Sequence, residues 1–268
     1  MEFAGYFLTL IMGVSLGLLG GGGSILTVPI LIYLFKINPV DATAYSLFIV
    51  GLAAGFGGFK KAKEGYVNFK VGAIFATPAF MGVFLARAYI IPKLPDTLFS
   101  MGSFVVTKGV LIMLIFAIMM IAASVTMIKG RKETIATSDV SSDPKTLNFP
   151  LIGLEGLVVG LLTGFVGAGG GFLIIPALVV LAGLNMKVAV GTSLMIISVK
   201  SLLGFLGDVM VNSNVDWTFL LILSGLSVVG IFIGSYLSQF VSDKKLKQAF
   251  GYFVLIMGTF ILAQQIYS

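Results

Sequence analysis

Cysteine and histidine are both absent from the 268 residues. Their absence excludes disulfides, thiolate nucleophiles, Cys/His zinc sites, histidine-ligated haem and every catalytic triad that needs an imidazole. Charge is scarce as well. Asp, Glu, Lys and Arg make up 10% of the chain, where a soluble domain carries roughly a quarter. What fills the gap is apolar: 58% of positions are hydrophobic and the mean hydropathy is +1.09. Apolar runs long enough to cross a hydrocarbon core of about 30 Å recur from end to end. Alternation at every second residue, the mark of a membrane β-barrel, is missing.

The charges that remain are unevenly placed. The net charge is +6, but the basic residues sit in a few loops, which fits the positive-inside bias of a membrane protein better than a nucleic-acid surface. The N-terminal flank, Met1-Glu2-Phe3, has no basic residue and no small-residue cleavage site follows. The first apolar segment therefore reads as a membrane element rather than a signal peptide.

Two glycine runs organise the chain. Residues 20–29 read GGGGSILTVP and residues 167–176 read GAGGGFLIIP, aligned without a gap at an offset of 147. Across positions 13–49 and 160–196 the two halves share 14 of 37 residues, among them Pro29/Pro176, Asn38/Asn185, Ala42/Ala189, Ser46/Ser193 and Leu47/Leu194. VNF at 67–69 matches VDW at 215–217 after a one-residue insertion. Proline, asparagine and serine in register do not arise from low complexity, so the chain is a duplication. The expected division is a first transmembrane repeat at 1–128, a polar linker at 129–149 and a second repeat at 150–268.

Each half begins with an apolar block (3–36, 151–183) too long for one span and cut by its glycines. Three further spans follow, at 41–59, 71–92 and about 105–128, then at 188–207, 218–240 and 249–267. Loop 60–70 holds Lys60, Lys61, Lys63 and Lys70, whereas its counterpart 208–217 holds only Asp208 and Asp216. The loop at 93–97 has one lysine, and its counterpart at 241–248 has Lys244, Lys245 and Lys247. The basic side swaps between equivalent loops, which implies repeats of inverted topology. Loops 60–70, 129–149 and 241–248 would be cytoplasmic; 93–97, 208–217 and both termini would lie outside. The expected fold is thus an all-α polytopic membrane protein of two inverted repeats, each a glycine-broken helical hairpin plus three helices. Whether the broken blocks cross fully or re-enter stays open; the parity holds either way.

A helix that breaks and restarts inside the membrane exposes free N–H groups and the positive end of its dipole. Transporters with inverted repeats aim such ends at anions. No lysine and Ser/Thr follow the glycines as a nucleotide loop requires. The candidate binding residues are Gly22, Gly23, Ser24, Gly170 and Gly171 from the breaks, with Ser46, Thr192 and Ser193 from the next helix of each half. Asn38 and Asn185 read as turn-forming caps. Lys200 lies mid-span, where its counterpart is Ala53, and is a candidate counter-charge. Glu155 is a candidate partner for it or a proton carrier, and equally an interfacial residue. Arg87 and Lys108 lie near span ends, where snorkelling suffices. Asp208 reads as a loop residue, with a gate as the lesser alternative. No metal site and no cofactor are expected.

These residues resemble the TauE/SafE family, the sulfite exporter or toluene-sulfonate uptake permease group. The resemblance is carried by GGGGSILTVPIL at 20–31, NPVDATAYSLF at 38–48, GFVGAGGGFLIIPAL at 164–178 and AVGTSLMIISVKSLLGFLGD at 189–208. It implies a carrier for sulfite, sulfonates or related organosulfur anions in a bacterial cytoplasmic (inner) membrane, multi-pass and not an enzyme. The expected mechanism is alternating access around a site at the repeat interface, with proton coupling resting on Glu155 or an Asp. A passive anion channel and a non-transport membrane subunit remain alternatives. The expected partners are a small anion and the lipid bilayer, with homo-oligomerisation open and nucleic acid excluded. A cysteine relay of thiosulfate is ruled out, since there is no cysteine.

Overall fold

The computed structural model describes residues 2–101, 104–129, 149–167, 169–180, 182–211, 215–238, 240 and 243–267. The linker at 130–148 and part of loop 208–217 lie outside the described residues. Five helical segments occupy each half. In the first they are α1 (Glu2–Leu19), α2 (Gly22–Leu34), α3 (Pro39–Lys63), α4 (Phe69–Lys93) and α5 (Lys108–Lys129). In the second they are α6 (Phe149–Val166), α7 (Gly171–Val180), α8 (Met186–Val211), α9 (Trp217–Leu237) and α10 (Asp243–Tyr267).

The helix starts follow local chemistry. Asn38 caps α3 by accepting from the Asp41 amide at 3.0 Å, and Asn185 caps α8 through Val188 at 3.0 Å. Asn68 and Asp216 do the same for α4 and α9. These caps satisfy donors that a helix start leaves orphaned. Among the described residues four helices, α3, α4, α8 and α9, are long and apolar enough to cross a membrane. By contrast α2 and α7, at 13 and 10 residues, rise only about 15–20 Å and stop part-way. Large apolar residues such as Phe56, Met81, Leu154, Leu221 and Ile256 stand exposed on the helix surfaces, as a lipid-facing surface requires.

The structure is mostly helical, as expected of an all-α polytopic membrane protein. One short exception is the antiparallel pair Thr97–Met101 (β1) and Phe104–Thr107 (β2), with Thr97 opposite Thr107. Pro92 and Pro95 close α4, and the β-branched and aromatic residues that follow suit a strand pair better than a helix start. The span expected from about 105 therefore begins at Lys108.

The packing is reciprocal. α1 lies against α9, and its counterpart α6 against α4; α3 pairs with α8, and α5 with α10. The α1–α9 and α6–α4 seams are lined by small residues. A Cβ on Gly13 or Gly17 would meet the backbone of Ser227 or Ile231, and one on Gly160 the backbone of Ala79. Gly13 and Gly17 are the sequence counterparts of Gly160 and Gly164. Such small-residue spacing lets membrane helices approach closely.

Candidate functional site

Both breaks end the same way. Gly20 and Gly167 adopt φ of 63° and 69°, and their amides reach back to Leu16 and Thr163 at 2.9 and 2.8 Å. Glycine takes this left-handed cap without the Cβ penalty. Beyond it the chain folds back: Gly23 packs on Ser15 and Leu16 of its own α1. The two breaks then meet. A side chain on Gly21 would strike the Cα of Gly171, and one on Gly171 would strike Gly21. Gly169 faces Ser24, whose hydroxyl donates to the Gly21 carbonyl at 2.7 Å.

The matched serines hold this crossing together. The Ser46 hydroxyl donates to the carbonyl of Gly167 at 2.6 Å, and that of Ser193 donates to Gly20 at 2.7 Å. Each serine thus secures the helix break of the other half. The same reciprocity recurs one residue earlier. The Thr192 hydroxyl accepts from the Asn68 amide at 2.9 Å, and its counterpart Tyr45 accepts from Asp216 at 3.1 Å. Thr192 therefore ties down the start of α4, away from the crossing itself.

Lys200 stands beside the crossing. It is fully buried, donates to the Thr163 hydroxyl at 2.6 Å, and its Nζ lies 3.1 Å from where a Cβ on Gly170 would be. Among the described residues no carboxylate pairs with it. Gly170 directly precedes α7, so the ammonium sits at that half-helix's positive end. Two like-signed features held together without a counter-ion favour an anion between or beside them. The counterparts of Thr163 and Lys200 are Leu16 and Ala53, both buried in the apolar core. The fold accepts an apolar pair at this place, so the polar pair is an addition to it. Glu155 forms no ion pair with Lys200; it is half-buried on α6, and its Oε2 has no hydrogen-bond partner among the described residues. Gly22, Gly23, Ser24, Gly170 and Gly171 are all buried, but Gly23 faces its own hairpin rather than Lys200.

Residues 6–261 match the family described as Sulfite exporter TauE/SafE. The chain belongs to this family. It is 29% identical over 257 residues to a probable membrane transporter protein of Xylella fastidiosa, covering 94% of this chain and 91% of that one. It is also 29% identical over 272 residues to the probable membrane transporter protein YunE of Bacillus subtilis, covering 97% of each. No solved structure matches. These are membrane transporters and not enzymes.

The TauE/SafE chain holds a second charged cluster that its sequence hides. Arg87, read above as a snorkelling residue, is fully buried, and its Nη1 bonds Asp208 Oδ1 at 3.3 Å. Asp208, read as a loop residue, lies inside α8, which runs on to Val211. The correction has a physical cause. Gly207 on α8 sits against the Arg87 Cβ and Ala88, so α4 comes too close for the side chain to reach water, and pairing replaces snorkelling. The pair adjoins a cavity of about 180 Å³, lined also by Asp41, Tyr45, Lys108 and Phe205. Only proximity in space, not spacing along the chain, connects Thr163 to Lys200 and Arg87 to Asp208.

Proposed function

We propose that this TauE/SafE chain is a secondary transporter of a small sulfur-containing anion, such as sulfite, a sulfonate or a related organosulfur anion. Two inverted repeats in the cytoplasmic membrane would alternate access to a site at their crossing. The observation that carries the reading is Lys200: a buried ammonium without a carboxylate, set at the start of a half-helix that begins inside the membrane. A charge there is costly unless it serves a ligand. The site would be lined by Gly22, Ser24, Gly170, Gly171 and Lys200, with Gly23 closing the hairpin behind it, Ser46 and Ser193 fixing the breaks, and Thr192 anchoring the start of α4.

Inversion is supported by the swapped loop charges together with the reciprocal hydrogen bonds, which relate each half to the other by one operation. The conformation fits one arm of an alternating cycle. On the side of loop 60–70, the Tyr66 carbonyl is packed against Gly191; on the opposite side, the counterpart Ala44 lines the cavity. The interior would thus be closed toward the cytoplasm and indented from outside. Glu155, with an unpartnered buried oxygen, is the group we assign to proton coupling.

The test is binding of sulfite and methanesulfonate to the purified chain, followed by flux in proteoliposomes. We expect wild type to bind and to accumulate the anion against its gradient, and Lys200→Ala to weaken binding by about tenfold or more, as loss of a charge-assisted contact does. Wild type that stays folded yet binds neither anion would refute the substrate class. Equal binding by Lys200→Ala would remove Lys200 from the site.

A further inference from the structure

The outer cavity asks for a ligand of its own. Arg87 carries five N–H donors in a planar fork. One edge is engaged, through Nη1, with Asp208. Nε and Nη2 have no hydrogen-bond partner among the described residues, and neither is reached by water. These two nitrogens share one edge of the guanidinium, the edge that grips an oxyanion with two parallel hydrogen bonds. A buried cation left with a whole free edge is expensive, and no described residue fills it. Asp208 is in the same state: its Oδ2 is buried without a partner. Arg87 and Asp208 both line the cavity; the unsatisfied edge lies behind that lining, so an anion in the cavity reaches it once the side chains of the wall shift.

From this we infer that Arg87 and the cavity form a second anion station, separate from Lys200, which takes a small soluble oxyanion such as a sulfonate, sulfite or carboxylate on the Nε/Nη2 edge. The inference rests on the reading of the chain as an anion carrier. A space of about 180 Å³ admits such an anion but not a lipid with its chains. The neighbouring charges limit how tightly it is held. Lys108 is drawn toward Asp96 at 3.5 Å, and Asp41 and Asp208 bring negative charge to the same walls. An anion on Arg87 therefore competes with Asp208. That makes the station weak, as a stopping point on a path must be if the ion is to leave it. Lys200 lies on α8 eight residues before Asp208, and so about 12 Å along the helix from it. Ser201, buried with an unpartnered hydroxyl, stands on the α8 face that carries Asp208, seven residues before it.

The experiment separates the two stations by working in a Lys200→Ala background. Titrations with sulfite, methanesulfonate and acetate use the full chain in nanodiscs, with thermal stability recorded alongside. We expect Lys200→Ala to retain a weaker oxyanion site. Adding Asp208→Asn, which keeps an acceptor for Nη1 but removes the competing charge, tightens that site about tenfold. Adding Arg87→Lys, which keeps the charge and loses the fork, abolishes it. The proposal is overturned if Lys200→Ala binds no oxyanion. It is equally overturned if Asp208→Asn and Arg87→Lys lower the melting temperature without changing affinity, since the pair would then only clamp α4 to α8. Should Lys200→Ala bind as wild type does, the central site fails, and the Arg87 and Asp208 comparisons still decide the outer one.

Discussion

A single ammonium distinguishes the two halves at the residue scale. Lys200 and Thr163 occupy places where the first half has Ala53 and Leu16, so the scaffold does not need them. A buried charge without an ionic partner carries a desolvation penalty that an apolar side chain of similar size does not. Lys200→Met is accordingly expected to match or exceed wild type in thermal stability while losing anion affinity. A melting temperature well below wild type would make Lys200 a structural residue instead. Ser46 and Ser193 predict the opposite behaviour. Each fully buried hydroxyl spans the crossing, and each serine→alanine change orphans a glycine carbonyl in the other half, at a cost of about 1–3 kcal/mol. Ser46→Ala and Ser193→Ala should therefore lower thermal stability by similar amounts, because the two bonds are counterparts. The serines were legible as a matched pair in the sequence. That each reaches into the other repeat was not, because the offset of 147 says which residues correspond and not which ones touch. Arg87 was misread for a related reason: its distance from a span end is a property of the chain, whereas its burial is imposed by Gly207 on another helix.

Among the elements, the glycine runs were the strongest signal in the sequence, and they do divide one apolar block into α1 and a short α2, and another into α6 and a short α7. Breaks could be read because left-handed glycine caps are local. The β-hairpin at 97–107 was hidden because its few apolar residues merge into the run that becomes α5. The end of α8 was misplaced by the reverse effect: Asp208 looks like a loop on polarity alone, but its partner on α4 lets the helix carry it inward. The seams between elements yield a contrast within one helix. On α9, a Cβ at Gly234 would run into the Val14 carbonyl, while at Gly225 nothing lies within 4 Å. Gly234→Ala should reduce the folded yield, with a cost of about 1–3 kcal/mol for overpacking. Gly225→Ala should be tolerated or mildly stabilising, since alanine favours a helix by about 1 kcal/mol over glycine. Size-exclusion profiles and melting curves of the two variants read this directly; equal behaviour would mean that the α1–α9 seam is looser than its geometry.

At the scale of the whole molecule, the arrangement of charged loops decides how the halves sit in the bilayer. Segments 93–97 and 241–248 each follow the fourth helix of their repeat; the second, expected as a loop, is helical from Asp243, so its three lysines stand on the first turns of α10. If the repeats ran parallel, these two segments would share a side; if inverted, they face opposite sides. The swap of lysines between the loops favours inversion, because basic loops are held in the cytoplasm. The reciprocal pairs Ser46–Gly167 with Ser193–Gly20, and Thr192–Asn68 with Tyr45–Asp216, fit a two-fold relation between the halves. They do not by themselves fix the direction of its axis relative to the membrane. The lack of cysteine turns that question into a clean experiment, since any thiol introduced is the only one present. Asp96 pairs weakly with Lys108 and has a side chain 98% exposed, and Phe240 is 70% exposed, so both tolerate replacement. In intact cells a membrane-impermeant maleimide should label Asp96→Cys and leave Phe240→Cys untouched until the membrane is opened. Glu64→Cys, in the lysine-rich loop, should behave like Phe240→Cys. Labelling of Asp96→Cys and Phe240→Cys from the same side would mean parallel repeats. The two half-helices would then approach the crossing from one side only, and a site reached alternately from each face would lose its symmetry argument.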